Sequence, residues 1–428
     1  MSLSVKSNTM EIIIVGGSLA GLLVGLALKR HGHHVHILER NSLPLFQGNG
    51  AGIFAGDETR QYMEKFDKCG RNLVIPTMFR HHLDINGNEI YRENGTHYAT
   101  SWDLLYHILR ANFDGIESEY CKLPDQIGGM THYDYDANVT DMKVDKNKVT
   151  IFYEQKNEKK SIQGNILIAA DGASSFIRTI VNPNVKREYV GYVVWRGTVP
   201  ESDISESIAL ALIGCITFFH APGIQFASYT IPGKNGTLDR RDRLINWVWY
   251  YNYEDPSEIL TDCNGRKHRW TVPRDKIQPK IWESLKQYAN DHLPPQFIEL
   301  VNLTRSPFVQ AISDVLSSQA TYYDGRVVFV GDALAGFRPH TAGATSQAAF
   351  HALKLWETMK NWDDWIKSKN SYENIVMEFA RHGIQHGQKL GNVSQFGHHK
   401  FDGTMKMGYL TTPDHMSNSH KDEQQYDN

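Results

Sequence analysis

The sequence predicts an α/β protein in which a Rossmann-like nucleotide-binding domain is interleaved with a mostly antiparallel β-sheet domain and followed by a C-terminal helix. Two observations predict it. Strand–turn–helix segments occur near the start, the middle and the end of the chain, and between the second and third the pattern changes to strand alternation rich in aromatics.

The first segment opens with the apolar strand Ile12-Ile13-Ile14-Val15, which runs into Gly16-Gly17-Ser18-Leu19-Ala20-Gly21 and a helix to about His31. A second strand, His34 to Leu38, ends at Glu39, 23 positions after Gly16. In such a unit Gly16 makes the turn, Gly21 lets helix and strand approach, and the helix N-terminus receives a pyrophosphate. Ser18 stands where the fingerprint usually has its second glycine and is small enough to admit the phosphates. Glu39 is placed to bind ribose hydroxyls. By itself this unit serves NAD or FAD equally well.

The second segment is Ile166-Leu167-Ile168-Ala169-Ala170 followed by Asp171-Gly172, with Ser175 and Arg178 leading into a helix. It reads equally as an ordinary strand-to-helix turn with an N-cap serine. The third carries Val327-Val328-Phe329-Val330 into Gly331-Asp332, then Arg338-Pro339-His340-Thr341-Ala342-Gly343 and a helix with an apolar face. Asp332, at a strand end, can accept a hydrogen bond from a ribityl or ribose hydroxyl. Amides at the helix start can meet a pyrophosphate or negative charge developing on a ring. Each segment is common alone; the three in this order are not.

These segments assign residues 11–75, 101–180 and 319–358 to one discontinuous nucleotide-binding domain and 181–318 to a second, substrate-side domain. Its strands are read at Tyr189 to Val199, Ile216 to Phe219, Phe226 to Ile231 and Leu244 to Tyr253, and the apolar run Ile208 to Phe219 reads as core strand. In Leu244 to Tyr253, alternation puts Asn246, Val248, Tyr250 and Asn252 on one face, Trp247 and Trp249 on the other. Residues 359–400 form a helical segment around Tyr372–Leu390, ending near Gly391, and 401–428 a flexible tail.

Composition narrows the class. A chain of 428 residues fits two domains, and a net charge of −3 offers no basic field for nucleic acid or an anionic membrane. No apolar run reaches the ~18–20 residues of a membrane span, and residues 1–10 lack a signal-peptide core. The four cysteines have no metal-like spacing, which favours reduced thiols and a cytoplasmic location. Twenty histidines invite a metal reading, but the pairs His33-His34, His81-His82 and His398-His399 lack carboxylates at usable spacing, so no metal is expected.

Taken together, the segments resemble the single-component flavoprotein aromatic hydroxylases of the p-hydroxybenzoate hydroxylase fold, and within them the 2,6-dihydroxypyridine hydroxylase branch. Gly48-Asn49-Gly50-Ala51-Gly52-Ile53, Ser101-Trp102-Asp103, Gly191-Tyr192-Val193-Val194-Trp195-Arg196-Gly197, Leu244 to Tyr250 and Arg338-Pro339-His340-Thr341 carry the resemblance across residues 12 to 400. The chain departs from it at Ala344, where many relatives have glycine, and at Gln347, where bacterial relatives often have lysine. Trp247-Val248-Trp249 is similar to the Trp-x-Trp of flavin-dependent halogenases, whose motif continues to Ile-Pro; here Tyr250-Tyr251 follows.

The resemblance implies one non-covalent FAD contacted by Gly16, Ser18, Leu19, Glu39, Arg40, Gly52, Ile53, Arg110, Asp171, Asp332, Thr341, Ala342 and Gly343, with Trp102 either at the flavin or packing. It implies NAD(P)H and O2 as co-substrates and hydroxylation, through a flavin C4a-hydroperoxide, of a hydroxylated aromatic or N-heteroaromatic ring, with or without decarboxylation. His340 is then the first choice for a substrate contact and for accepting a phenolic proton, or it braces the turn. Arg338 pairs with a carboxylate, holds the turn or receives the pyridine nucleotide. His220, Tyr229, Trp249 and Arg196 are further pocket candidates. A homodimer is compatible with all of this. Two alternatives stay open: an NAD(P)H-dependent oxidoreductase without oxygen insertion, and a non-catalytic flavin-fold binding protein.

Overall fold

The structure is a computed structural model that describes residues 9–46 and 51–397. The three strand–turn–helix segments enter one six-stranded sheet as adjacent, parallel strands: Val327–Phe329 beside Ile166–Ala169 beside Glu11–Val15. His34–Leu38 and Thr131–Asp134 extend the parallel sheet on one side, and the short antiparallel Thr321–Tyr322 closes the other. The central strands are apolar along their length because both faces are covered. Helices Leu19–Arg30, Trp102–Asp114 and Ala344–Thr358 pack together on this sheet. Parallel alignment brings the C-terminal ends of all three strands, and so Gly16, Asp171 and Asp332, to one edge.

The second sheet has ten strands. Phe308–Leu316, Glu188–Pro200, Leu244–Asn252, Ile224–Ile231 and Cys215–Ala221 run antiparallel in that order. The sheet continues through Ile75–Leu83 and Glu89–Ser101 to Gly52–Phe54, so residues 76–100, unassigned from sequence, are two of its strands. One face buries Trp195, Trp247, Trp249 and Phe226 against helices Pro279–His292 and Pro295–Leu303. The expected strand over Ile208 to Phe219 is instead a helix, Glu206–Leu212, followed by strand Cys215–Ala221. Gly214, at φ 81°, makes the break between them in a left-handed conformation that glycine adopts readily. A small antiparallel sheet, Ala137–Val144, Val149–Gln155 and Glu158–Gly164, fills the excursion before residue 166.

The C-terminal helix, Trp362–Phe396, begins before the expected Tyr372 and passes through Gly391. The Asn361 side chain accepts from the Asp364 amide and caps its start. Gly383, Gly387 and Gly391 recur every four residues and form a flat stripe on one face. A Cβ at Gly383 would overlap the Phe337 ring, and one at Gly391 would overlap the Tyr192 hydroxyl. The glycines therefore seat the turn around Arg338; they do not end the helix. Among the described residues no helix is long and apolar enough to cross a membrane.

Gly383→Ala separates local from tertiary preference. Helix propensity alone favours alanine by about 1 kcal/mol, whereas overpacking against Phe337 costs about 1–3 kcal/mol. The expected outcome is a lower midpoint in thermal or denaturant unfolding.

Candidate functional site

At the shared edge of the parallel strands lies a cleft of about 1450 Å3, larger than the ~300–1,000 Å3 of ordinary small-ligand pockets. Gly16 sits in its wall at φ 106°, where a Cβ would overlap the Ala170 carbonyl, so the turn requires glycine. Ser18 opens the first helix in extended conformation and lines the cleft, while Leu19 is buried behind it. Glu39 also lines the cleft; its Oε2 accepts from the Gly17 amide and its Oε1 from the Asn41 amide, both at 2.8 Å. Each oxygen retains a lone pair for a ligand hydroxyl. Arg40 lies exposed on the same wall.

Asp171 belongs to this wall as well. Its Oδ2 accepts from the Phe176 and Ile177 amides at 2.7 and 3.1 Å, capping the following helix with Ser175. Its Oδ1 is buried without a partner among the described residues, and burial raises its pKa. An acceptor left this way at a cleft wall calls for a donor from a ligand. The glycine turn, Glu39 and this acceptor fit a dinucleotide.

Asp332 stands on the short turn Gly331–Ala333 and is not part of the cleft wall. Burial pushes its carboxyl up to about 6, opposed by the Arg187 and Arg178 guanidiniums. Arg178 donates to the Ala333 carbonyl at 2.8 Å and to the Ala173 carbonyl, tying the Asp171 and Asp332 loops together. The Gly331 amide donates to His351 Nδ1 at 3.0 Å. Burial pushes His351 down to about 3, which keeps this acceptor neutral.

Arg110 does not reach the cleft. Its guanidinium is taken by both Asp114 oxygens, the Tyr106 hydroxyl and the Pro44 carbonyl, and lies 3.6 Å from the Tyr133 ring. It anchors residue 44 to the helix instead of binding phosphate. Trp102 and Phe46 line the cleft edge-to-face, and Arg266, which nothing in the sequence marked, reaches it from the second domain.

A second pocket, of about 100 Å3, lies on the other face of the ten-stranded sheet. Strand register aligns Arg196, Val248, Ala227 and Phe218 across neighbouring strands to form its floor. Tyr229, Gln225, Tyr250 and Arg80 complete the sheet side, and Gly52, Pro339 and His340 also line the pocket. The Gly52 amide donates to Asn246 Oδ1 at 2.8 Å; Ile53 follows it, half-buried in the same short strand. Residues 48–50 of that motif lie outside the described residues. Trp249 points to the opposite face, packed with Phe226 and Tyr288, because side chains alternate along a strand. It is a core residue and not a substrate contact. His220 stacks with His82 and Phe218 beside the pocket and is held down to about 4 by burial. Arg80 and Gln225 were missed from sequence, although period-two alternation on their strands marks that face.

The His340 imidazole stacks on Tyr250 at 3.9 Å between centroids. Arg338 Nη1 donates to the Tyr192 oxygen at 3.4 Å, and the Tyr192 O–H then finds His340 Nε2 at 3.1 Å as its acceptor. This network assigns the proton to Nδ1, which is buried with no partner among the described residues. Burial, with Arg338 and His220 nearby, holds the His340 pKa well below its ordinary value. Of the roles open from sequence, this geometry favours a hydrogen-bond donor at Nδ1 held by the turn, with basicity below that of a free imidazole.

Arg338 is structural, not catalytic. Asp314 receives it bidentately at 2.7 and 2.6 Å, and Asn392 accepts from Nη1 at 2.9 Å. Thr341 Oγ1 accepts from the Gly343 amide and donates to the Arg338 carbonyl, and Ala342 adopts φ 50°. Thr341, Ala342 and Gly343 shape the start of helix Ala344–Thr358 and form part of neither pocket wall.

Comparisons with known proteins agree with this geometry. Residues 189–314 match the family described as FAD binding domain-like. The chain is 25% identical over 396 residues to the 2,6-dihydroxypyridine 3-monooxygenase of Paenarthrobacter nicotinovorans, covering 91% of this chain and 93% of that one. It superposes on the structure of 2,6-dihydroxypyridine-3-hydroxylase from Arthrobacter nicotinovorans with a TM-score of 0.81 at 24% identity, over 94% and 98% of the two chains. Klebsiella pneumoniae HpxO complexed with FAD and uric acid gives a TM-score of 0.68 at 18% identity, over 90% and 89%. Over nearly its whole length the chain is therefore similar to FAD-dependent monooxygenases, and its dinucleotide cleft fits FAD.

Two outcomes test this assignment of roles. Arg338→Met leaves Asp314 uncompensated and is expected to cost up to about 3–5 kcal/mol in denaturant unfolding; a variant with wild-type stability but no turnover would return Arg338 to the chemistry. The His351 pKa is depressed on folding, so its contribution is complete above about 6.5 and is lost as pH falls toward about 3. His351→Gln should flatten the fall in stability across that window by up to about 1.4 kcal/mol per pH unit, read from unfolding at stepped pH.

Proposed function

We propose that this protein uses NAD(P)H and O2 to hydroxylate a hydroxylated aromatic or N-heteroaromatic ring. The observation that carries the reading is the juxtaposition of a dinucleotide cleft with a ring-sized pocket whose wall is the His340 turn. When bound and reduced, FAD supplies the oxygen-activating chemistry; the chain's task is to hold the ring and exclude water. Val248, Ala227 and Phe218 offer a flat apolar floor. Tyr250 fixes the imidazole plane by stacking, and Tyr192 fixes its tautomer, so that Nδ1–H is available to a ring oxygen. A donor placed before the reaction stabilises negative charge gathering on that oxygen as the ring becomes more nucleophilic. Gly16, Ser18, Glu39 and Asp171 are the residues assigned to the FAD nucleotide. The small pocket with its buried, unsatisfied donors supports a substrate-binding enzyme over a non-catalytic flavin-fold binding protein.

Turnover under isotope-labelled molecular oxygen should place label in the hydroxylated product; label arriving only from water would refute the monooxygenase reaction. His340→Ala should retain FAD yet shift the product-to-peroxide ratio toward peroxide by roughly 2–10-fold, the loss of one neutral hydrogen bond. An unchanged ratio would remove His340 from substrate positioning.

A further inference from the structure

Arg196 is a cation without an anion. Its Nε is buried with no partner, and among the described residues its guanidinium makes no hydrogen bond or ion pair. Its neighbours across the strands, Val248 and Phe308, are apolar. Other buried arginines of this fold have partners: Arg80, Arg243, Arg110 and Arg338 pair with Glu93, Glu201, Asp114 and Asp314, and Arg178 and Arg326 donate to backbone carbonyls. An arginine withdrawn from water and left unmatched is costly unless something else supplies the charge. No carboxylate lines the second pocket, whereas Arg196, Arg80 and the Nδ1–H of His340 do. Its volume of about 100 Å3 is near the ~150 Å3 of an engineered cavity in another protein that takes benzene, which favours one ring over a fused system.

Resting on the hydroxylase reading, we propose that the second pocket selects a single ring bearing an anionic substituent, a carboxylate or an ionised ring hydroxyl, with Arg196 as its counter-ion. The guanidinium fork suits an oxyanion by paired hydrogen bonds. Arg196 and His340 both line this pocket, so a substrate that reaches them is gripped at its charged group while its ring lies along Val248 and Ala227.

The test is binding to the oxidised holoenzyme, followed by calorimetry and by perturbation of the flavin absorbance. Benzoate and benzamide have the same shape and differ in charge. The wild type should prefer benzoate by roughly tenfold to a hundredfold, as for a hydrogen bond to a charged group. Arg196→Met, verified to retain FAD, should abolish the preference while leaving benzamide affinity within about threefold, and Arg196→Lys should retain part of it. Titrating 4-cyanophenol on both sides of its ionisation distinguishes a ring oxyanion from a carboxylate as the preferred group. If the wild type binds neither charged form better than the neutral one, or Arg196→Met keeps the preference, the proposal is wrong. Binding needs no turnover, so a failed oxygen-label experiment would sink the hydroxylation reading and leave this result standing.

Discussion

Arg338 joins three elements at the place where the two sheets meet. Asp314, on strand Phe308–Leu316, takes the guanidinium bidentately; Tyr192, on the neighbouring strand, and Asn392, on the long helix, take the rest. Buried charge is tolerable here because every direction of the fork meets an acceptor. The glycine stripe at 383, 387 and 391 lets the turn press directly on the helix. With Arg338 fixed, the next residues have little freedom, and His340 is delivered to the edge of the sheet pocket. The same guanidinium polarises Tyr192, whose hydroxyl then determines which imidazole nitrogen carries the proton. A structural ion pair thereby governs the chemistry one turn away.

The two sites differ in their carboxylates: the nucleotide cleft has them and the sheet pocket has none. The nucleotide cleft presents Glu39 and Asp171, acceptors suited to sugar hydroxyls, beside the helix N-terminus suited to phosphate. The sheet pocket presents donors and cations, with its imidazole kept neutral by burial. A charged histidine there would add to the positive charge of Arg196 and would be expensive to desolvate. Neutrality lets His340 donate a hydrogen bond without that cost. Positive groups on one side of a flat ring favour the more electron-rich, anionic form of a substrate, which is the form an electrophilic oxygen needs.

Some features of the chain are local and therefore legible in its sequence. The three apolar strands with their glycine and aspartate turns identify the nucleotide-binding sheet because each turn is built from adjacent residues whose backbone geometry admits few alternatives. Alternation in Leu244 to Tyr250 likewise assigns Val248 and Tyr250 to one face and Trp249 to the other, by the period of the strand alone. The break at Gly214 was visible as a glycine, although whether helix or strand preceded it was decided by packing.

Other features depend on contacts that sequence spacing does not encode. Arg110 was expected at FAD, but Asp114 and the Pro44 carbonyl claim it; for Arg338 sequence left carboxylate pairing, turn support and nucleotide reception open, and Asp314, 24 positions earlier, is the carboxylate that takes it. Gly391 reads as a helix stop until Tyr192 is seen against it. Arg196 was a pocket candidate from sequence, but its lack of a partner emerged only once the sheet register set it between Val248 and Phe308 in a pocket with no carboxylate. Sequence by itself determined the nucleotide-binding edge, since that edge is made of short-range turns. Tertiary structure decided which charged side chains are free, since pairing of a buried charge is settled by whatever distant residue the fold brings to it.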